Sequence, residues 1–311
     1  YWNDKETVIN SATFLAIENP STDVARYRAG DLDMTNYGLP PEQFAKLQKE
    51  LPGEVYITRT LATYSYELNN KKAPFDNVNI RKALNLSLDR NVITDKVLGQ
   101  GQTPTYVFTP TYIEEGHLIQ QPAYSKEPMA QRNEEAIKLL EEAGYSKANP
   151  LKFSILYNTN ENHKKVAIAA ASMWKANTKG LIDVKLENQE WKTYIDSRRA
   201  GRYDAARAGW NADYNQATTF GNYFLSNSSN NTAKYANPEY DKAIAESYVA
   251  TDAEGRAKAY AKAEEILAKD FGIVPIFNYV NPRLVKPYVK GYSGKDPQDH
   301  IYLRNLYIIK H

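Results

Sequence analysis

Hydrophobic and polar positions along the chain change period repeatedly, and each change marks a new helix or strand. Residues 24–29 carry apolar side chains at helical spacing and stop at Gly30, after which Leu32, Met34 and Tyr37 predict a short strand. Pro40 and Pro41 open a helix over 42–51, with proline near the first helical position, and Gly53 ends it. The stretch 55–68 is rich in Thr, Tyr and Val and predicts one long extended segment. Asp76 or Asn79 is the expected cap of a helix containing Ile80, Ala83, Leu84 and Leu88, and a second helix runs through Val92, Ile93 and Val97 to Gly99. Residues 104–128 have several prolines and little periodicity and predict a loop, followed by an amphipathic helix over 134–143 that stops at Gly144.

From Leu151 the alternation tightens into strand 151–157, helix 163–177, strand 182–186, helix 190–199 and strand 203–210. That order is the signature of a doubly wound α/β layer. Two helices follow, 238–249 and 253–270, and strands over 273–279 and 302–309 close the chain.

Composition narrows the classes of function. The 311 residues are 42% hydrophobic and 24% charged, the proportions of an ordinary globular protein with room for two domains. A net charge of +2 with no run of Lys or Arg argues against nucleic acid as a partner. The absence of Cys removes disulfides, thiolate metal sites and cysteine nucleophiles together. Of the aromatic residues 24 are Tyr, whose large rigid ring and polar tip suit wet binding surfaces as well as strand ends.

Catalytic and metal motifs find no match. There is no His-Glu-x-x-His, no Gly-x-Ser-x-Gly and no phosphate-binding glycine loop, and His117, His163, His300 and His311 are scattered. No cofactor or metal site is expected. A peptide hydrolase would require a nucleophile and base, or a metal site, that the sequence does not display.

The segment Arg207-Ala208-Gly209-Trp210-Asn211-Ala212-Asp213-Tyr214-Asn215 is chemically the richest in the chain. It sets a guanidinium, an indole and a carboxylate around one glycine, the groups that hold a zwitterion by its charges and flat surfaces. Residues 203–210 also fit a half-buried strand whose Asp and Arg make ordinary surface ion pairs, and residue types alone favour that reading. Alternation places Arg207, Asn211 and Asp213 on one face and Trp210 on the other, although Gly209 can bend the strand. Nearby, His163 lies in the first turn of its helix, where the dipole favours an anion over an imidazolium. Trp191 and Arg198 share one helix face, where the Arg is either a solvated end or an anion-binding fork, and Arg207 as a second guanidinium near His163 would supply a bidentate carboxylate site. Asp213 offers the opposite charge for an ammonium.

Several segments taken in order resemble one family. They are Tyr27-Arg28-Ala29-Gly30-Asp31-Leu32-Asp33-Met34, Ile80-Arg81-Lys82-Ala83-Leu84 through Asp89-Arg90, Leu156-Tyr157-Asn158-Thr159, Asn188-Gln189-Glu190-Trp191-Lys192-Thr193, the 207–215 segment and Arg283-Leu284-Val285-Lys286-Pro287. Together they are similar to the bacterial extracellular solute-binding proteins, in the branch that serves peptide ABC transporters from the periplasm. The resemblance implies a two-lobed periplasmic-binding-protein fold, mixed sheets flanked by helices, of which this chain is the C-terminal part. Residues 1–61 then belong to the first lobe, 62–272 form the second, and 273–311 return to the first. It also implies short peptides and a membrane permease as partners, a monomer, and an extended peptide held as the lobes close.

Position by position, Asp213 resembles the partner of the peptide ammonium, and Arg207, Arg198 and His163 resemble the partners of its carboxylate. Asn158, Glu67, Trp191, Trp210 and Tyr279 resemble pocket-lining or backbone-contacting residues. Close relatives carry a disulfide at the positions matching Ala62 and Asn211, and an aromatic residue where this chain has Ser65. Murein-peptide, dipeptide and haem binders of the same family are the alternatives, but a ligand partner for each terminal charge favours an unmodified peptide.

Overall fold

The computed structural model describes residues 2–17, 19–36 and 38–310. The chain begins with α1 (Pro20–Ala29), α2 (Pro41–Glu50), β1 (Val55–Leu68) and α3 (Val78–Leu86), followed by a π-helical turn over Val92–Leu98. Next come β2 (Thr103–Pro104), α4 (Met129–Glu142), β3 (Leu151–Asn158), α5 (Glu161–Asn177), β4 (Ile182–Gln189), α6 (Trp191–Arg199) and β5 (Ala205–Asn211). The remainder is α7 (Thr218–Gly221), α8 (Pro238–Val249), α9 (Ala253–Lys269), β6 (Ile273–Leu284), β7 (Val289–Lys290) and β8 (Tyr307–Ile308). These elements fall into two units, one made of residues 1–60, 98–102 and 279–311 and the other of 61–97 and 103–278.

In the first unit, Asn19 caps α1 by accepting from the Ser21 amide, and Gly30 closes it at φ +87°, a left-handed conformation that glycine adopts without strain. Val24 and Tyr27 of α1 pack with Phe44 and Leu47 of α2 and with Leu284 in a small core. The short strand expected around Leu32 and Met34 reduces to a single bridge between Met34 and Val285, and Tyr37 lies outside the described residues. The strand expected over 302–309 is likewise only β8, because its partner β7 is two residues long, between Pro287 and a glycine at φ +82°.

The second unit is built on a six-stranded sheet in the order β2-β6-β1-β5-β3-β4. Strand β3 pairs in parallel with β4 on one side and β5 on the other, whereas β1 runs antiparallel to β5. The doubly wound layer is therefore present, inside a mixed sheet. Because the chain steps from β3 to β4 and then back past β3 to β5, right-handed crossovers put α5 and α6 on opposite faces. Accordingly Trp174 of α5 packs on Phe153 and Tyr66, while Tyr194 of α6 packs with Leu156, Tyr203 and Ala206.

A large aromatic core under α7, α8 and α9 joins Phe108, Phe220, Tyr223, Phe224, Tyr240, Tyr260 and Leu267. Arg90 is fully buried with its donors directed to the carbonyls of Asn85, Leu88, Thr105 and Pro275 and to Asn85 Oδ1, and its guanidinium lies 4.1 Å from the centre of the Tyr106 ring, so hydrogen bonds and a cation–π contact offset its desolvation without a carboxylate partner. Arg81 meets the carbonyls of Asp270 and Phe271, where the negative end of α9 favours a cation.

Several boundaries differ from the sequence reading. The cap of α3 is Asn77, which accepts from the Asn79 amide, rather than Asp76 or Asn79. Helix α4 begins at Met129, five residues earlier than the apolar periodicity shows, directly after Pro128. The helix expected over 92–99 is wound as a π-helix. Strand β6 continues through Asn281 and Pro282, residues that ordinarily signal a turn.

Candidate functional site

Parallel strands β3, β4 and β5 end together, and α5 and α6 start immediately after the first two. Their carboxyl edge is where open α/β sheets bind ligands, beside the strand at which the winding reverses. Asn158 at the end of β3, His163 in the first turn of α5, Trp191 at the start of α6, and Trp210 and Asp213 at and beyond the end of β5 all lie along this edge. Alternation along β5 then divides the polar groups between the two faces.

On the α5 face stands Arg207. It lies across from Tyr66 of β1, its guanidinium is 5.1 Å from the centre of the Tyr64 ring, and its Nη1 is 3.5 Å from Asn158 Oδ1. The Tyr64 ring stacks on Phe277 at 4.7 Å and contacts the His163 ring at 5.6 Å, so one tyrosine braces both candidate carboxylate partners. The Arg207 carbonyl accepts from the Tyr194 hydroxyl, which ties β5 to α6 behind it.

His163 is half-buried, and burial followed by the charge of Arg207 pushes its pKa down to about 2. At neutral pH it is a neutral imidazole able to donate one hydrogen bond, and Arg207 supplies the positive charge on this face. The anion site expected at the start of α5 is partly taken: Asn160 Oδ1 accepts from the amides of Asn162 and His163 at 2.9 and 3.1 Å. A ligand carboxylate would meet side chains here rather than the bare helix end.

A histidine whose folded pKa lies below its unfolded value of about 6.5 favours the unfolded state when protonated. Its contribution is present above pH 6.5 and is lost as pH falls, by at most about 1.4 kcal/mol per pH unit. His163→Gln is expected to lose less stability between pH 7 and pH 5 than the parent protein, by about 1–2 kcal/mol. Urea unfolding at both pH values measures this, and equal losses in the two proteins would refute it.

On the α6 face, Glu67 and Arg198 form a buried ion pair, with Arg198 Nη2 3.0 Å from Glu67 Oε2. The Tyr223 hydroxyl donates to Glu67 Oε1 at 2.6 Å, the Thr232 hydroxyl donates to Oε2, and Arg198 also donates to both hydroxyls. Burial is the largest single influence and opposes the charge on Arg198, but Glu67, Tyr194 and Tyr223 together hold the guanidinium above its ordinary pKa. The structure thus places Arg198 in a balanced network with Glu67 rather than beside Arg207.

At the open end of this face, Thr219 organises the two remaining groups. Its hydroxyl accepts from Trp210 Nε1 and from the Asp213 amide, each at 3.2 Å, and donates to Asp213 Oδ2 at 3.3 Å. One hydroxyl has one donor and two acceptor positions, and all three are used. Asp213 is exposed, and this hydroxyl joins it to Trp210, not to the Arg207 face that simple alternation gave it. The Trp210 ring packs edge-on to Tyr223 at 4.9 Å.

Trp191 is 55% exposed, with its ring 5.8 Å from Tyr194, which leaves an indole surface open at the same edge. Tyr279 belongs to the first unit, where its carbonyl accepts from the Thr60 hydroxyl at 3.1 Å. Asp204 makes the ordinary surface ion pair that the strand reading allowed, with Lys72 at 2.5 Å.

Ala62 and Asn211 lie directly opposite each other in the β1–β5 register. Since the adjacent pair is hydrogen-bonded through Ala212 N and Leu61 O, they form a non-hydrogen-bonded pair, the closest approach in an antiparallel ladder and within reach of a disulfide. Ser65 lies opposite Ala208, two small side chains on the face that carries Glu67.

Tyr64, Tyr194, Tyr223, Thr219 and Thr232 complete the arrangement, and of these the sequence placed only Tyr194, between Trp191 and Arg198 on their helix face. The abundance of Tyr hinted at them, but no spacing selects five residues scattered over five segments. A cavity of about 290 Å³ in the first unit, between Thr58 and residues 291–306, includes none of the expected site residues. Among the described residues no group of three or more His, Asp or Glu side chains could hold a metal ion, and no helix is long and apolar enough to cross a membrane.

A family model described as bacterial extracellular solute-binding proteins, family 5 Middle, matches residues 1–232. The chain belongs to family 5 of the bacterial extracellular solute-binding proteins. It is 97% identical over 311 residues to the periplasmic oligopeptide-binding protein OppA of Haemophilus influenzae, covering 100% of this chain and 58% of that protein. It is 43% identical over 311 residues to the periplasmic murein peptide-binding protein MppA of Escherichia coli, covering 100% and 57%. The crystal structure of Haemophilus influenzae OppA in complex with RPPGFSPFR matches with a TM-score of 0.94 and 96% identity, covering 100% of this chain and 60% of that one. The chain therefore spans about three fifths of the length of these family members, and their mixed α/β architecture is the one found here.

Proposed function

We propose that this chain is the greater part of the substrate-binding component of a peptide ABC transporter, which captures short extended peptides in the periplasm as a monomer and hands them to a membrane permease. The observation that carries this reading is the pair of opposite charges at one sheet edge: Asp213 on the Thr219 hydroxyl, and Arg207 braced by Tyr64 beside neutral His163. A peptide is the common solute with an ammonium at one end and a carboxylate at the other.

Asp213 and Arg207 are six residues apart in the chain, about 20 Å at most when fully extended. A ligand that touches both with its termini is accordingly only a few residues long. Longer peptides place their carboxylate elsewhere, and the complex of the OppA relative with a nine-residue peptide supports that tolerance. Main-chain hydrogen bonds of an extended peptide supply affinity with little dependence on side chains. Exposed Trp191 and half-buried Trp210 offer flat surfaces for whatever side chains are present.

The binding, non-catalytic character of this reading is supported by the names of the relatives. Titrating the protein carrying this sequence with a tripeptide bearing free termini is expected to give saturable one-to-one binding, with the peptide recovered intact by mass spectrometry. Absence of binding, or a cleaved peptide, would overturn the proposal.

A further inference from the structure

The segment that carries Asp213 is held from behind by a carboxylate that plays no part in the site described so far. Glu115 is buried, and its backbone is left-handed at φ +65°, a conformation uncommon for any residue but glycine. Its Oε1 accepts from Arg256 Nε and Nη2, both at 2.7 Å, and its Oε2 accepts from Gln216 Nε2 at 3.0 Å. Arg256 sits in the first turn of α9, and Gln216 follows Asp213 by three residues.

The same stretch is tied at further points. The Ala217 amide donates to the Glu114 carbonyl at 3.0 Å, and the Glu114 amide donates to Asn215 Oδ1 at 3.2 Å. Gln216 Oε1 accepts from the Thr218 hydroxyl, which in turn meets the Tyr260 hydroxyl of α9 at 2.6 Å. The next residue is Thr219, the partner of Asp213. On the other side the turn is close-packed, since a Cβ on Gly116 would stand 2.7 Å from Ile113 Cγ2 and 3.0 Å from the Pro110 carbonyl. Residues 213–219 are thus clamped between a rigid turn and α9, with the Glu115 carboxylate at the crossing point.

We propose that the Glu115–Arg256 pair is a positioning device that fixes the 213–219 loop so that the Asp213 carboxylate meets the ammonium of the ligand. This rests on the peptide-binding reading above. A left-handed backbone costs about 1–2 kcal/mol for a residue other than glycine, and here it aims a buried carboxylate at two donors from different segments. Arg256 reaches solvent while the Glu115 carboxylate is buried, so the pair anchors the loop from its protein side and its effect on the ligand acts through the 213–219 segment it orders.

The test compares calorimetric affinities of the protein carrying this sequence for trialanine and for N-acetyl-trialanine, which has no ammonium. In the parent protein the free amine is expected to bind at least about tenfold more tightly, and Asp213→Asn should abolish that preference. If Asp213→Asn keeps it, the assignment of Asp213 itself fails. With that control in place, Glu115→Gln and Arg256→Met should each weaken trialanine binding by about tenfold, or about 1.4 kcal/mol, and change binding of the acetylated peptide by less than about twofold. Arg256→Lys, which keeps the charge but not the fork, should fall between parent and Arg256→Met. Equal losses for both peptides would mean a general structural role, and no loss for either would mean no role; each result overturns the proposal. Should Glu115→Gln fail to fold, Arg256→Met and Gln216→Leu carry the same contrast.

Discussion

Replacing Arg198 with alanine is expected to lower the unfolding free energy by about 3–5 kcal/mol. The loss does not measure the attraction of one ion pair, because desolvating both ions consumes most of what their attraction supplies. It measures what is left behind. Glu67 would remain fully buried with only the Tyr223 and Thr232 hydroxyls to accept from, and a buried carboxylate without a cation takes up a proton or opens the structure to water. Urea unfolding at pH 7 measures the cost, and a loss below about 1 kcal/mol would show that water reaches Glu67. The double variant Glu67→Gln, Arg198→Met, which removes both charges and preserves bulk, is expected to recover most of the stability. The network joins α6 to β1 and to the 223–232 segment, so weakening it would also loosen the sheet edge on which Trp210 lies.

Asp213→Ala is expected to weaken binding of a free-amine peptide by about 2–4 kcal/mol, roughly 30- to 1000-fold. The bound ammonium, desolvated by the ligand's own contacts, would face the Thr219 hydroxyl and two N–H groups, which are poor company for a cation. Loss of charge and loss of loop order can be separated. Asp213→Asn retains an acceptor for the Thr219 hydroxyl, so the loop keeps its hydrogen bond while the charge disappears. Charge dominates if Asn and Ala are equally weak, which is the expected result. Unchanged affinity in Asp213→Ala by calorimetry would refute its assignment to the ammonium.

The elements that could be read in the sequence are those in which local chemistry and tertiary packing ask for the same thing. Strand β1 over Val55–Leu68 and helix α8 over Pro238–Val249 coincide with their expected ranges because their periodicity is unbroken and their ends carry Gly, Asn or Pro. The βαβαβ run was legible for the same reason. What failed were segments whose state depends on a partner: Met34 and residues 302–309 have strand-forming residues but little to pair with, and 92–98 has helical periodicity but is wound wider. The division of the chain also depends on distant contacts, since residues 98–102 belong with the first unit although sequence on both sides of them belongs with the second.

In the candidate site, residue types were legible and pairings were not. Arg198, Arg207 and Glu67 carry charges that composition reveals, yet nothing in the sequence says that Arg198 spends its charge on Glu67 while Arg207 stands on the other face. Thr219 and Glu115 gave no sign at all, because a hydroxyl or carboxylate becomes a hub only through the donors that fold around it. The sequence by itself determined the alternation of elements and the supply of opposite charges and aromatic surfaces in the 207–215 segment and near His163, Trp191 and Arg198. Only the tertiary structure decided which charges are already balanced inside the protein. Periodicity acts over a few residues along one chain, whereas hydrogen bonds and ion pairs form across whatever distance in sequence the sheet order brings together.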